Sequence, residues 1–184
     1  DIAMYVDYSV SEYYKAFDKA VAAGIAKALP YNKVTAGKPL VALWMHSSPG
    51  LAKRPYVPDI KRLIAEEYMG MLPSYVVMDD ALNAETFYRH EDIMRLSREV
   101  GAEYVVICGI DGNQSKDKDY WYIVLNQGVF KADGSLMSIV TFAKKVSATG
   151  NIQATGENLL SAKEELQRHL PFVTVEQQKL FCYY

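Results

Sequence analysis

The residues best equipped for chemistry fall in a few short stretches. His46-Ser47-Ser48 follows an apolar run, and strand ends in open sheets are where loops carry catalytic groups. A nucleophilic serine there would need a base and an orienting acid placed around it in space. No G-x-S-x-G elbow surrounds these serines. Asp79-Asp80 with His90-Glu91-Asp92 offers oxygen and nitrogen donors of the kind that hold a divalent metal. Capping explains the same residues at lower cost: Asp79 ends a strand, Asp80 precedes a helical turn, and Glu91 and Asp92 open a helix whose dipole favours negative charge. A metal-dependent or serine hydrolase built on His46, Asp79, Asp80 and His90 is therefore the enzymatic alternative, and no metal is expected.

Gly109, Gly112 and Gly134 form no phosphate cradle, because a dinucleotide loop needs glycines between a first strand and its helix and a P-loop needs Gly-Lys-Ser/Thr. No cofactor is expected. Two cysteines are too few for a disulfide scaffold. Cys108 reads as an inert core thiol, and a bridge to Cys182 would require the tail to fold back over the sheet. His169 reads as a partner of a helix C-terminal dipole.

Recognition is better supplied than catalysis. Fourteen tyrosines exceed what a core of this size needs, and tyrosine joins a large apolar body to a polar tip. Three prolines stiffen the segment from His46 to Pro58, which carries Lys53, Arg54 and Tyr56; a stiff loop loses less entropy when a partner orders it. Tyr120 and Tyr122 lie on the polar face of a later hairpin. Lys53, Arg54, Tyr56, Tyr120 and Tyr122 are thus the expected partner-binding residues, set against a plain reading of the loop as a rigid, solubilising connector.

These residues must be positioned by a scaffold that composition describes well. The 184 residues are 50% hydrophobic and 23% charged, with a net charge of −2, which fits one globular domain and gives no electrostatic footprint for nucleic acid. No apolar stretch approaches the roughly 20 residues that span a bilayer. The sequence opens at Asp1 with no initiating Met and no visible signal peptide, which suits a processed or trimmed chain from which an upstream export signal or lipid-anchored cysteine could have been removed.

Along the chain, residues 1–9 read as an extended lead-in. Val10, Tyr13, Tyr14, Phe17, Val21, Ile25 and Leu29 then recur at three-and-four spacing, predicting a long amphipathic helix that Pro30 ends. Thr35 to Pro39 is a turn, and Leu40-Val41-Ala42-Leu43-Trp44-Met45 is a buried strand. Asp59 can cap a helix with Ile60, Leu63, Ile64, Tyr68, Met71 and Leu72 on one face. Tyr75-Val76-Val77-Met78 is a short strand; residues 83–88 form a helical turn or two; Ile93, Leu96 and Val100 mark a helix stopped by Gly101.

Residues 104–110 are apolar on both faces and should form the central strand. Residues 111–119 read as a solvated loop, and residues 120–146 as an antiparallel hairpin turning at Asp133-Gly134. With those two residues as the turn, Leu125 faces Phe142, Gln127 faces Val140, Trp121 faces Val146 and Val129 faces Ser138, on the core side. Residues 150–156 read as a linker, and Leu159, Ala162, Leu166 and Leu170 as a last helix stopped by Pro171. The expected architecture is a single α/β domain over residues 1–171, with a mixed sheet, a carboxy-terminal hairpin and about four flanking helices, followed by an aromatic tail over 172–184.

This order of elements resembles a superfamily of bacterial envelope proteins: the amino-terminal domain of the Tol translocation protein, the curli secretion lipoprotein, and the lipoprotein activators of penicillin-binding proteins. The residues that carry the resemblance are Leu40-Val41-Ala42-Leu43-Trp44, Pro73-Ser74-Tyr75-Val76-Val77-Met78-Asp79, Val100-Gly101-Ala102-Glu103-Tyr104-Val105-Val106-Ile107-Cys108-Gly109-Ile110 and Phe130-Lys131-Ala132-Asp133-Gly134. The sequence has neither the added membrane-spanning hairpins of the curli pore nor the propeller repeats of the Tol protein. The resemblance implies a non-enzymatic periplasmic accessory domain, lipid-anchored to the outer membrane, that binds a larger assembly or cell-wall protein. An oligomeric structural subunit of an envelope complex is a further alternative.

Overall fold

The computed structural model describes residues 31–47, 57–78, 89–114, 121–146 and 151–174. The expected lead-in and long helix before Pro30, residues 83–88, Ser48, Asp79, Asp80, Cys182 and the tail beyond Thr174 lie outside them, as do Lys53, Arg54, Tyr56 and Tyr120.

Among the described residues the chain forms six strands and three helices: β1 (Asn32–Lys33), β2 (Val41–Ser47), α1 (Val57–Met69), β3 (Tyr75–Val77), α2 (His90–Glu99), β4 (Tyr104–Gln114), β5 (Trp121–Lys131), β6 (Leu136–Val146) and α3 (Asn151–His169). They build one mixed α/β domain around a single sheet in the order β1-β3-β2-β4-β5-β6. β2 runs parallel to both β3 and β4, whereas β4-β5-β6 is an antiparallel meander and β1 adds antiparallel to β3.

The apolar run of β2 is unbroken because both faces of the strand are covered, and alternate residues go to opposite sides. Val41, Leu43 and Met45 share a first face with Val106, Cys108, Leu125, Gln127 and Val129. α1 and α3 cover it, joined by an ion pair between Glu67 and Lys163. Ala42, Trp44 and His46 share the second face with Val105, Ile107, Gly109 and Phe130. α2 lies there, since the Trp44 indole N–H donates to Ser97 Oγ at 2.8 Å in a buried contact. Val105 and Val106 are fully buried, so residues 104–110 are the interior strand that their pattern predicts. Each fully buried Val or Leu of this core contributes roughly 1.5–3 kcal/mol relative to exposure.

Local signals end the helices. α2 closes in a Schellman motif: Gly101, at φ 81°, donates to Arg98 O at 2.9 Å and Ala102 N donates to Ser97 O at 3.1 Å. α1 stops at Gly70, and the buried Met71 and Leu72 follow in turns, not in helix. The helix begins at Val57, ahead of the expected cap at Asp59, and β2 continues through His46 and Ser47, so the connection between them is shorter than the sequence suggests.

Three further boundaries differ from expectation. β4 runs on through Asp111-Gly112-Asn113-Gln114, opposite Val124 to Trp121, where a solvated loop was expected. Pairing with β5 satisfies the backbone there whatever the polarity of the side chains. α3 begins at Asn151, within the expected linker. The hairpin turn has three residues: Gly134, at φ 88°, donates to Lys131 O at 2.9 Å, Lys131 N donates to Ser135 O at 3.0 Å, and Asp133 Oδ1 accepts from Ser135 N at 2.8 Å. A bulge then places Phe130 opposite Leu136 but Val129 opposite Ser138. The bulge cancels the extra turn residue, so the four expected pairs, Leu125 with Phe142, Gln127 with Val140, Trp121 with Val146 and Val129 with Ser138, all form.

Candidate functional site

The crossover from β2 to β3 passes over the first face through α1, and that from β3 to β4 passes over the second face through α2. The strand order therefore reverses between β2 and β4, and the carboxyl ends of strands at such a switch point are the usual place for ligands in open α/β sheets. Three ionisable side chains meet there. His46 ends β2, Asp111 extends β4, and Lys61 comes from α1.

The His46 imidazole lies directly over Gly109, its neighbour on β4; a Cβ on that glycine would stand 2.2 Å from Cε1. Only glycine leaves room for the ring. Burial holds the imidazole below its ordinary pKa, the Lys61 ammonium adds to that, and the Asp111 carboxylate opposes it. Lys61 is itself nearly fully buried, and burial lowers its pKa too. The ends of these strands thus gather an imidazole, a desolvated lysine and a carboxyl group.

Ser47 is next in the strand and points to the opposite face, out of reach of that base. His90 does not join the group either. Its ring packs on Phe130 with centroids 5.1 Å apart, and its Nε2 lies against the Gly134 turn. Phe130 pairs with Val105, four residues before Gly109 on β4, so the two histidines are held about 13 Å apart along the sheet. Asp92 pairs with Arg89 at 3.4 Å and Arg95 at 3.6 Å on the surface of α2. Among the described residues, no three His, Cys, Asp or Glu side chains converge to hold a metal.

A second polar group is sealed inside the first face. The Tyr68 hydroxyl donates to Gln127 Oε1 at 2.7 Å, and the Cys108 thiol hydrogen-bonds the same tyrosine. Burial pushes Cys108 up to about 12, with the Tyr68 contact partly offsetting it, so the thiol stays protonated at neutral pH. It is a free, buried cysteine, as the apolar strand around it predicts. The sequence places Gln127 on the core side without naming its partner; a polar residue in a core-facing position is itself the signal that one exists. His169 lies 3.0 Å from Glu165 one turn back in α3, a local partner in addition to the helix end.

The segments expected to recognise a partner emerge together. β2 ends at Ser47, opposite Ile110, and β4 ends at Gln114, so the 48–56 connection and the 115–120 connection leave the sheet at the same end. Tyr122 sits at that end of β5, opposite Asn113 and Lys145.

No protein-family model and no curated protein matches this chain. Among solved structures, the chain is similar to the PelC dodecamer from Paraburkholderia phytofirmans, at 11% identity and TM-score 0.46 over 75% of this chain and 94% of that one. It is similar to a lipoprotein from Neisseria meningitidis, at 10% identity and TM-score 0.42 over 71% and 98% of the two chains. The LpoB C-terminal domain from Salmonella enterica follows at 12% identity and TM-score 0.39 over 72% and 95%.

Proposed function

We propose that this chain is a non-enzymatic accessory domain of the bacterial envelope, periplasmic and held to the outer membrane by an upstream lipid anchor, which binds a larger assembly or cell-wall protein. The observation that carries the reading is the common exit of the 48–56 and 115–120 connections at one end of the sheet. Lys53, Arg54 and Tyr56 belong to the first connection, Tyr120 to the second, and Tyr122 to the strand beside it. Tyrosine and arginine are among the residue types most enriched at interface hot spots.

Three of the described side chains that could do chemistry have structural surroundings instead, which supports a binding role. His90 packs against the hairpin, Cys108 is protonated and sealed, and Ser47 faces away from His46. The sequence resemblance to envelope accessory proteins supplies the compartment. The test is quantitative capture from an envelope extract by wild type and by the Arg54→Ala/Tyr56→Ala and Tyr120→Ala/Tyr122→Ala pairs. The expected result is unchanged thermal unfolding and capture weakened tenfold or more, about 1.4 kcal/mol. Equal capture by folded double variants would remove these residues from the interface.

A further inference from the structure

The sheet has two very different edges. β1 closes one with two residues, whereas β6 closes the other with eleven and, among the described residues, pairs with β5 alone. A long strand with one side unpaired presents a row of backbone donors and acceptors that can template another strand. Large aliphatic side chains are exposed along this edge on both faces of the sheet. Ile139 is 64% exposed and Leu136 57% exposed on β6, and Leu160 is 39% exposed on α3. Lys144 reaches Glu157 at 3.6 Å, which puts that side of α3 beside the strand; Leu160 lies one turn further along the same stripe.

We propose that β6 pairs with β6 of a second copy of this chain, antiparallel about a two-fold axis through residues 139–141. The charges of the edge select this occupant and this direction. Lys144 and Lys145 stand at one end of β6, the strand has no acidic residue, and the Asp133 turn stands at the other end. Parallel, in-register pairing would stack lysine on lysine. Two-fold antiparallel pairing carries the lysine end of each copy to the Asp133 end of the other and sets each exposed Ile139 opposite Thr141 of the second copy. A two-fold contact uses the same patch twice, and the two-residue β1 edge gives little to extend it, so assembly closes at two copies.

Sedimentation velocity from micromolar to millimolar concentration tests the proposal, with Ile139→Lys as the disrupting variant. Ile139 is exposed, so the fold tolerates the change. The expected result is a particle of twice the 20.7 kDa chain mass, and an Ile139→Lys dissociation constant raised at least tenfold with unchanged circular dichroism. Register is read by disulfide trapping in a Cys182→Ser background: a mixture of Ile139→Cys and Thr141→Cys chains should cross-link one to the other rapidly, and Lys145→Cys should not cross-link. A wild-type chain that stays monomeric to millimolar concentration overturns the proposal and leaves the edge to a strand of some other protein. So does an Ile139→Lys variant that dimerises as wild type does, or trapping that is fastest at Lys145→Cys.

Discussion

Tyr68 of α1 and Gln127 of β5 meet in the core through a 2.7 Å hydrogen bond, 59 residues apart in sequence and both essentially without solvent contact. The bond fixes how α1 sits over the antiparallel half of the sheet, because neither polar group has water to fall back on. Removing the Tyr68 hydroxyl strands the Gln127 carbonyl oxygen, at a cost of about 1–3 kcal/mol. Tyr68→Phe should therefore lower the unfolding free energy extrapolated from urea titration by that amount, and Tyr68→Phe/Gln127→Leu should recover most of the loss. A double variant as unstable as the two singles added together would show that the pair is not coupled.

The steric fit of His46 on Gly109 gives a second expectation. Gly109→Ala places a methyl group on the ring, which must move, at about 1–3 kcal/mol as for other overpacked cores. Shortening the ring side chain by His46→Ala should partly rescue the alanine variant. Thermal unfolding of the two singles and the double decides it, and strict additivity would mean that the ring does not occupy that space.

The same histidine sets a pH dependence. Its folded pKa is lowered, first by burial and then by Lys61, so folding favours the neutral ring. The stability from this site is complete above the ordinary imidazole value of 6.5 and is lost as pH falls through the lower folded value. His46→Gln, which cannot titrate, should flatten the fall in stability below pH 6.5. An unchanged acid limb would assign that fall to other groups.

Much of this architecture is legible in the residues because local and tertiary signals agree. The unbroken apolar runs in β2 and β4 mark strands covered on both faces, Gly101 marks a helix end, and the Asp133-Gly134 turn gives the register of β5 and β6 because the bulge cancels the extra turn residue. Legibility fails where pairing overrides side-chain character. Asp111 to Gln114 look like loop but extend β4, because β5 continues beside them. The two residues of β1 are too few to carry a pattern. The ionisable group needs three elements, β2, α1 and β4, and only the folded chain shows that Lys61 and Asp111 approach the His46 that the sequence singles out.

Cys108 should be chemically silent in the native chain. With its thiol pushed up to about 12 by burial, it has almost no thiolate at neutral or mildly alkaline pH, and access is closed as well. In a Cys182→Ser background, a thiol reagent at mildly alkaline pH should titrate no cysteine until denaturant is added, and then one per chain. Rapid native labelling would mean that the sheet opens locally at β4.

The ion pair between Lys163 of α3 and Glu67 of α1 joins the two helices that share the first face, with the lysine side chain 5% exposed and the carboxylate 17%. Taking such charges out of water costs several kcal/mol per ion, so the pair contributes little net stability while either member alone is costly. Lys163→Met leaves the Glu67 carboxylate without this partner and should cost about 3–5 kcal/mol, a large share of the roughly 5–15 kcal/mol that holds a domain folded. Lys163→Met/Glu67→Leu replaces both charges with apolar side chains of similar length and should return to within about 1 kcal/mol of wild type or exceed it. What the pair then supplies is alignment: the charges fix which turn of α3 meets which turn of α1, whereas an apolar contact tolerates sliding. The double variant should therefore keep its denaturation midpoint but show faster amide exchange along α3, and exchange as slow as wild type would mean that packing of Leu159, Ala162 and Leu166 alone sets the register.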